Sequence, residues 1–246
     1  MVESILLTAT PITTYAASAA LTNATGFFFE RSGRLYLVTS RHVFFDAPSG
    51  HSPDRVEIEL HTDRDNLARS AWFSIPLYDR GSPLWRQGSD AGGEVDVAVI
   101  EINRSALPAT AYYAAFTERH LAGAEEQVEV GSPLLIVGFP LGFHDTLHHL
   151  PVVRQAINAS TFAFRFGGEG YFLTDGRTHR GISGAAVVRR TSAADLEPPW
   201  RLLGIHSARL DLGTRELLAD EALGLNVAWF ADILLTLTDG GPSSGG

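Results

Sequence analysis

The chain has 246 residues, a formal net charge of −9 and a hydrophobic fraction of 45%, and it contains no cysteine. All 19 basic residues counted as Lys or Arg are arginine, so lysine is absent as well. These absences exclude disulfides, thiolate nucleophiles, cysteine-ligated metal sites, Schiff-base chemistry and Walker-type phosphate loops. The negative charge argues against nucleic acid or an anionic membrane as a partner, and no apolar run approaches the roughly 20 residues of a membrane span.

The N-terminal residues 1–21 do not match a secretory signal. Glu3 precedes any basic residue and Pro11 interrupts the apolar stretch, whereas a signal needs a positive start and a continuous apolar segment. We therefore expect a cytoplasmic protein in preference to a secreted or periplasmic one. The absence of cysteine is compatible with that compartment.

Short runs rich in Val, Ile, Leu, Phe and Tyr, mostly bounded by Gly, Pro, Asp or Ser, predict β-strands along most of the chain. The Ser32-Gly33 dipeptide between the first two runs predicts a hairpin turn. Helical patterns are confined to 111–123 and 228–237, so we expect an all-β protein. The predicted strands are 26–30, 34–40, 55–60, 72–77, 95–102, 133–139, 171–174, 185–190 and 201–207.

An acidic stretch near the middle of the chain separates two strand-rich halves. We expect an N-terminal lobe over residues 1–123 and a C-terminal lobe over residues 124–239. Residues 240–246 are rich in Gly and Ser, which predicts a flexible tail without a core.

His42 and Asp96 are the first two candidates for chemistry. His42 directly follows the predicted strand 34–40, at the start of a predicted turn of helix. Asp96 lies inside an apolar predicted strand, where a buried carboxylate needs a donor or a cation to offset its desolvation. Each residue alone also has an ordinary interpretation, as a half-exposed histidine and as an aspartate on a solvated strand face.

The third candidate is Ser183 in the turn Gly181-Ile182-Ser183-Gly184. Glycine at 181 lets a backbone N–H approach a reacting carbonyl oxygen closely, so the N–H groups of Gly181 and Ser183 are candidates for an oxyanion hole. An ordinary Gly-Ser turn is the alternative. The nucleophile elbow of α/β-hydrolases is excluded, because Ala185 stands where that motif has glycine and a strand rather than a helix follows.

The chain order His42, Asp96, Ser183 is that of the chymotrypsin class and differs from the order in subtilisins and α/β-hydrolases. Four local motifs accompany it: GFFFERSGRLYLVTSRHVF at 26–44, VDVAVI at 95–100, VGFPLG at 137–142 and TDGRTHRGISGA at 174–185. With these motifs the chain resembles the trypsin-like serine proteases over residues 20–238, specifically the bacterial branch that includes the high-temperature-requirement (HtrA) proteases.

This resemblance implies a chymotrypsin-like fold of two packed six-stranded antiparallel β-barrels with a short C-terminal helix, and no PDZ domain is expected. It implies a serine endopeptidase in which Ser183 is the nucleophile, His42 the general base and Asp96 the group that orients the imidazole. A polypeptide substrate is the expected partner and no cofactor is expected. A catalytically silent fold used as a protein-interaction module, or an esterase, is the alternative. The stretch 46–94 is longer than the barrel alone explains.

The primary specificity pocket of the family would include Arg177, Thr178, His206 and Ser207. Because Arg177 stands at the base of that pocket instead of Asp, cleavage after Lys or Arg is not expected. Thr178 and His206 resemble the pocket residues of glutamyl endopeptidases, and Gly-Ile-His also resembles picornaviral proteases that cleave after Gln. The hypothesis is cleavage after Glu or Gln. The alternative is that His206 is a core or edge-strand residue with no substrate role.

The segment 143–151 concentrates His144, Asp145, His148 and His149. Such side chains bind a metal only when they converge with a defined geometry. Because the segment is expected to be an exposed loop, no metal site is predicted there.

Overall fold

The computed structural model describes residues 2–123, 126–191, 196–210 and 223–239. Strands dominate it, as the sequence predicts. The strands of the first half are β1 (Ala9–Ala16), β2 (Ala19–Arg31), β3 (Arg34–Thr39), β4 (Arg55–His61), β5 (Ser70–Pro76), β6 (Tyr78–Asp79), β7 (Ser82–Pro83), β8 (Trp85–Asp90), β9 (Gly93–Ile102) and β10 (Phe116–Thr117).

The first lobe is built on one eight-stranded sheet, with β6 and β7 forming a separate two-stranded sheet. Its hydrogen-bonded order is β5-β4-β1-β2-β3-β9-β8, and β10 pairs with β2 in parallel. The expected closed six-stranded barrel is therefore replaced here by a larger sheet. The long stretch 46–94 supplies β4 to β8, and it extends the sheet beyond β1 on one side and beyond β9 on the other.

The second lobe is a closed barrel of six antiparallel strands, as expected, in the order β11-β12-β13-β16-β15-β14. All of its strands lie after the acidic stretch, so the two sheets follow the two halves of the chain, while the exact lobe boundary stays a prediction. The strands are β11 (Pro133–Gly138), β12 (Val152–Asn158), β13 (Tyr171–Asp175), β14 (Ala186–Arg190), β15 (Trp200–Arg209) and β16 (Leu225–Phe230).

The α-helices in the described ranges are short: α1 (Arg41–Phe44) and α2 (Ile233–Leu237). None of these helices is long and apolar enough to cross a bilayer. The chain also makes 3₁₀ turns at Ser4–Leu7, Arg104–Ala106, Glu118–His120, Pro140–Gly142 and Phe166–Gly168.

The helix predicted over 111–123 is wrong. Its centre is β10, where Phe116 is fully buried and packs edge-on against Phe27 at 5.7 Å between ring centroids. Pairing with β2 satisfies this backbone and buries the aromatic ring, which outweighs the helix propensity of the surrounding alanines. The second predicted helix, 228–237, is correct only in its last part, because β16 continues to Phe230.

The predicted hairpin turn is confirmed. Arg31 and Arg34 pair across the β2–β3 ladder, and the two residues between them, Ser32 and Gly33, have φ of 50° and 76°. Two consecutive positive φ values match the right-handed twist of the flanking strands, which is why a glycine belongs at this site. After this hairpin, β3 pairs with β9 on its other side and leads directly into α1.

One apolar cluster joins the two lobes. It contains Phe27 of β2 and Val99 of β9 together with Val137 of β11 and Ile205 of β15. The buried Leu234 of α2 belongs to the same cluster, so the C-terminal helix also packs at the junction. Because a shared core holds the lobes together, residues carried by different lobes face each other across a defined cleft.

Candidate active site

His42 and Asp96 are joined by two hydrogen bonds. The His42 ring places Nδ1 2.7 Å from Asp96 Oδ2, and the backbone N–H of His42 donates to Asp96 Oδ1 at 2.9 Å. The pairing of β3 with β9, in register at Thr39 and Ala98, brings the start of α1 beside Asp96. With both carboxylate oxygens engaged, the proton of the neutral imidazole is held on Nδ1, and Nε2 is left with a lone pair.

Ser207 completes the surroundings of the carboxylate. Its hydroxyl donates to Asp96 Oδ2 at 2.5 Å, and the residue is buried. The sequence places Ser207 in the substrate pocket, whereas this contact makes its side chain a support for Asp96. A hydroxyl donor stabilises the ionised carboxylate and limits its movement.

The pKa values of the pair move in opposite directions. Burial disfavours the charged form of His42, but the hydrogen bond and the charge of Asp96 outweigh burial and raise its pKa above the usual 6.5. Burial likewise disfavours the Asp96 anion, but the contacts with His42 and Ser207 outweigh it and lower the carboxyl pKa below 3.8. The arrangement therefore favours an imidazolium next to an ionised carboxylate.

Ser183 lies on a turn that the first lobe holds in place. Thr25 of β2 donates its N–H to the Ser183 carbonyl at 3.0 Å and its hydroxyl to the Gly181 carbonyl at 2.8 Å. Gly184 has a φ of 88°, and a Cβ there would lie 2.2 Å from the Thr25 carbonyl oxygen. Glycine is therefore required at 184, both for the left-handed backbone and for the close approach of β2.

Ser183 and His42 line one cleft between the lobes, with a volume of about 810 Å³. Ser183 is only partly buried and reaches this space. Within the described part of the chain no hydrogen bond joins its hydroxyl to His42. The structure thus brings His42 and Ser183 to one cleft, with His42 anchored by Asp96 and the Ser183 hydroxyl unengaged within the described residues.

The backbone around Ser183 offers two uncommitted donors. Across the ranges that the structure describes, neither the N–H of Gly181 nor that of Ser183 donates a hydrogen bond. Both residues line the cleft, and Thr25 fixes their carbonyl groups. A rigid pair of free N–H groups next to a hydroxyl suits the stabilisation of a developing oxyanion.

The predicted pocket residues fall into two groups. Arg177 and Thr178 line a second cavity of about 390 Å³ together with Asn226 of β16. The Thr178 hydroxyl donates to Asn226 Oδ1 at 2.5 Å. His206 does not line this cavity and is 2% exposed on β15. The structure therefore separates His206 from the wall that carries Thr178.

His206 is a titratable group enclosed in the core near the cleft. Its Nδ1 has no hydrogen-bond partner among the residues that the structure describes. Burial, assisted by the charge of His42, lowers its pKa to about 4. The imidazole is consequently neutral at neutral pH.

Three residues with a part in this region were not predicted: Thr25, Asn226 and Glu59. Thr25 and Asn226 act through buried hydrogen bonds across elements far apart in sequence, which no local pattern indicates. Glu59 of β4 meets two histidines of the 143–151 segment, and ligand atoms of Glu59, His144 and His149 all lie within 4.8 Å of one another. Of these three residues, the sequence pattern indicated only the two histidines.

Comparison with known proteins identifies a family. A family model described as the trypsin-like peptidase domain matches residues 24–194, which include His42, Asp96 and Ser183. A comparison with curated proteins gives no match.

Among solved structures, the serine endoprotease from Yersinia pestis is similar, with a TM-score of 0.54 and 18% sequence identity. The superposition covers 94% of this chain and 61% of the Yersinia chain, so this chain spans less than two thirds of that protein. Likeness at this identity shows the fold alone. The family model, in contrast, covers more than half of the chain, and the chain belongs to the trypsin-like peptidase domain family.

Proposed function

We propose that this protein is a serine endopeptidase that hydrolyses peptide bonds through His42, Asp96 and Ser183. The observation that carries the proposal is that His42, which two hydrogen bonds anchor to Asp96, lines the same cleft as Ser183. A structural histidine would not need a carboxylate on Nδ1, a free Nε2 and a neighbouring serine hydroxyl. The combination is what proton transfer to and from a nucleophile requires.

In the proposed mechanism, Ser183 Oγ attacks the scissile carbonyl carbon and His42 Nε2 takes the hydroxyl proton. Asp96 keeps the imidazole oriented and stabilises the imidazolium that forms. The N–H groups of Gly181 and Ser183 stabilise the oxyanion of the tetrahedral intermediate. His42 then gives its proton to the leaving amine, and an acyl-enzyme remains on Ser183. Water, activated by the same imidazole, attacks the ester carbonyl, and the acid product leaves.

Labelling with a serine-directed fluorophosphonate tests this proposal. We expect one covalent label per chain, located on Ser183 by mass spectrometry of the tryptic peptides, together with cleavage of an unstructured protein substrate. Ser183→Ala should take up no label. Ser105→Ala is the matched control, because this exposed serine hydrogen-bonds only within its own turn. A wild-type protein that takes up no label and cleaves no substrate would favour the silent interaction module. A protein that is labelled and hydrolyses esters but not peptides would favour an esterase.

We further propose that the enzyme cleaves after Glu or Gln. Support comes from the cavity that Arg177 and Thr178 line. The Thr178 hydroxyl gives its proton to Asn226, so its oxygen remains an acceptor for the side-chain amide of Gln. The Arg177 guanidinium is the natural partner for the carboxylate of Glu. His206 lies outside this lining, so the specificity proposal depends on Arg177 and Thr178.

A panel of peptides that differ only in the residue before the scissile bond tests this specificity. We expect kcat/KM for the Glu or Gln peptide to exceed that for the Ala and Lys peptides by at least about tenfold, the value of one well-formed hydrogen bond. Thr178→Val removes the hydroxyl at nearly constant volume and should lower the Gln-to-Ala ratio. A preference for small apolar residues, or a ratio that Thr178→Val does not change, would contradict the proposal.

A further inference from the structure

A second cluster of chemistry-bearing side chains lies where the loop at 143–150 of the second lobe meets β4 of the first. Glu59 comes from β4, and His144 and His149 come from the loop. Their ligand atoms lie within 4.8 Å of one another, and His149 Nδ1 is 2.9 Å from Glu59 Oε1. The neighbours Asp145 and His148 pair with each other instead, at 2.8 Å.

The Glu59 carboxylate is buried without a matching permanent cation. Its side chain is 8% exposed, and His149 is its one ion-pair partner in the described ranges. The Ser70 hydroxyl and His149 both contact Oε1, which leaves Oε2 without a hydrogen-bond partner in those ranges. A carboxylate removed from water is costly unless a cation compensates it. The site therefore offers a carboxylate oxygen that no described residue contacts.

The hydrogen bond of His144 sets the ring nitrogen that it can offer to an ion. His144 Nδ1 lies 2.7 Å from the Gly142 carbonyl, so it carries the proton and donates, and Nε2 keeps the lone pair. A backbone carbonyl on the second ring nitrogen is the outer contact that fixes the orientation of metal-bound imidazoles. His149 is 23% exposed at its side chain, so an ion can enter from solvent.

We propose that Glu59, His144 and His149 form a binding site for a divalent transition-metal ion, for which Zn²⁺ is the best match. Two imidazole nitrogens and one carboxylate oxygen are a donor set that Zn²⁺ takes, with water in the fourth tetrahedral position. Hard cations such as Ca²⁺ and Mg²⁺ prefer an all-oxygen shell and are a poor match. For His149 Nδ1 to bind the ion, the imidazole proton must lie on Nε2, because the metal takes the lone pair of the ring nitrogen that it contacts.

The ion would cross-link the two lobes next to the turn that carries Ser183. His61 of β4 already contacts the His148 carbonyl at 2.8 Å, so the loop rests on β4. At the N-terminal side of the loop, the Leu141 N–H donates to the Arg180 carbonyl at 2.6 Å, and Arg180 directly precedes Gly181 in the chain. A metal at Glu59 thus fixes a segment that contacts the turn carrying Ser183, whether or not that turn is catalytic.

Titration calorimetry with ZnCl₂ on the tag-free, EDTA-stripped full chain tests the site. We expect one Zn²⁺ per chain, with no displacement by excess Mg²⁺. Co²⁺ in its place should give the visible absorption of a tetrahedral ion, a readout independent of hydrolysis. We expect Zn²⁺ binding to weaken at least about 100-fold in each of three variants, Glu59→Gln, His144→Ala and His149→Ala. Loss of a residue that only supports a metal ligand typically costs up to about 100-fold, and loss of a ligand itself should cost at least as much.

His148→Ala is the matched control, since it removes a histidine from the same loop that faces Asp145 rather than the cluster. It should bind Zn²⁺ as the wild type does. Circular dichroism of each variant confirms folding, and a single folded ligand variant suffices for the comparison. No binding to the wild type, equal binding by the folded ligand variants, or equal weakening in His148→Ala would overturn the proposal.

Discussion

Asp96→Asn is expected to fold normally and to lose about 10⁴-fold in kcat, the size of effect known for this substitution in a His-Asp-Ser triad. The amide oxygen can still accept the backbone N–H of His42, which now lies 2.9 Å from Asp96 Oδ1. The amide NH₂ then faces His42 Nδ1 and donates to it. The imidazole proton is displaced to Nε2, where the ring can no longer accept the proton of Ser183.

Steady-state kinetics on one peptide substrate measures this loss, with the folded state checked by thermal unfolding. Asp46→Asn is the matched control, because Asp46 acts on His42 only through space and not by a hydrogen bond to its ring. It should change kcat by no more than about threefold. An Asp96→Asn enzyme with wild-type kcat would remove the His42–Asp96 pair from the mechanism.

His206 should make the protein less stable in mild acid by roughly 2–3 kcal/mol, at 1.36 kcal/mol per unit of pKa difference. Its pKa in the folded protein is about 4, below the usual 6.5. As the pH falls below 6.5, the unfolded chain takes up a proton that the folded chain refuses. The contribution of His206 to stability is therefore fully present above the pKa of this histidine in the unfolded chain. It is lost as the pH falls toward the pKa of His206 in the folded protein.

Urea unfolding at about pH 7.5 and about pH 4.5 measures this dependence. His206→Leu replaces the imidazole with an apolar side chain that cannot titrate, so the free energy of unfolding should fall less between the two pH values, by that same 2–3 kcal/mol. His148→Gln is the control, because it removes an exposed histidine. Equal pH dependence in wild type and His206→Leu would show that His206 is not an acid-sensitive group. Comparing variants also cancels the contributions of His42 and Asp96.

The strands that the sequence predicts well are those with continuous apolar runs. β2, β3 and β9 supply the buried centre of the first sheet, and their composition shows it. β1 and β12 were missed for a physical reason: β1 mixes buried and half-buried residues over a Thr-rich segment that contains Pro11, and β12 alternates exposed residues with half-buried or buried ones. Such strands are specified by their neighbours in the sheet more than by their own residues.

The candidate site also contains residues that local motifs predict and residues that only the tertiary structure reveals. His42, Asp96 and Ser183 stand in local motifs whose order along the chain is diagnostic, and the structure pairs Asp96 with His42 and brings His42 and Ser183 to one cleft. Ser207 was assigned to the pocket because it is near in sequence to His206, whereas its hydroxyl direction depends on the tertiary approach of Asp96. Glu59 was not predicted because the other two residues of its cluster come from the second lobe.

Thr25 couples the first lobe to the turn that carries Ser183. This one residue of the first lobe holds the carbonyls of Gly181 and Ser183, and its hydroxyl also accepts the Phe139 N–H at 3.0 Å. A motion that separates the lobes would break these bonds and release the turn that carries Ser183 from β2. Under the proposed mechanism, a condition that parts the lobes while each stays folded should abolish acyl transfer, because the turn that carries Ser183 loses its contacts with Thr25.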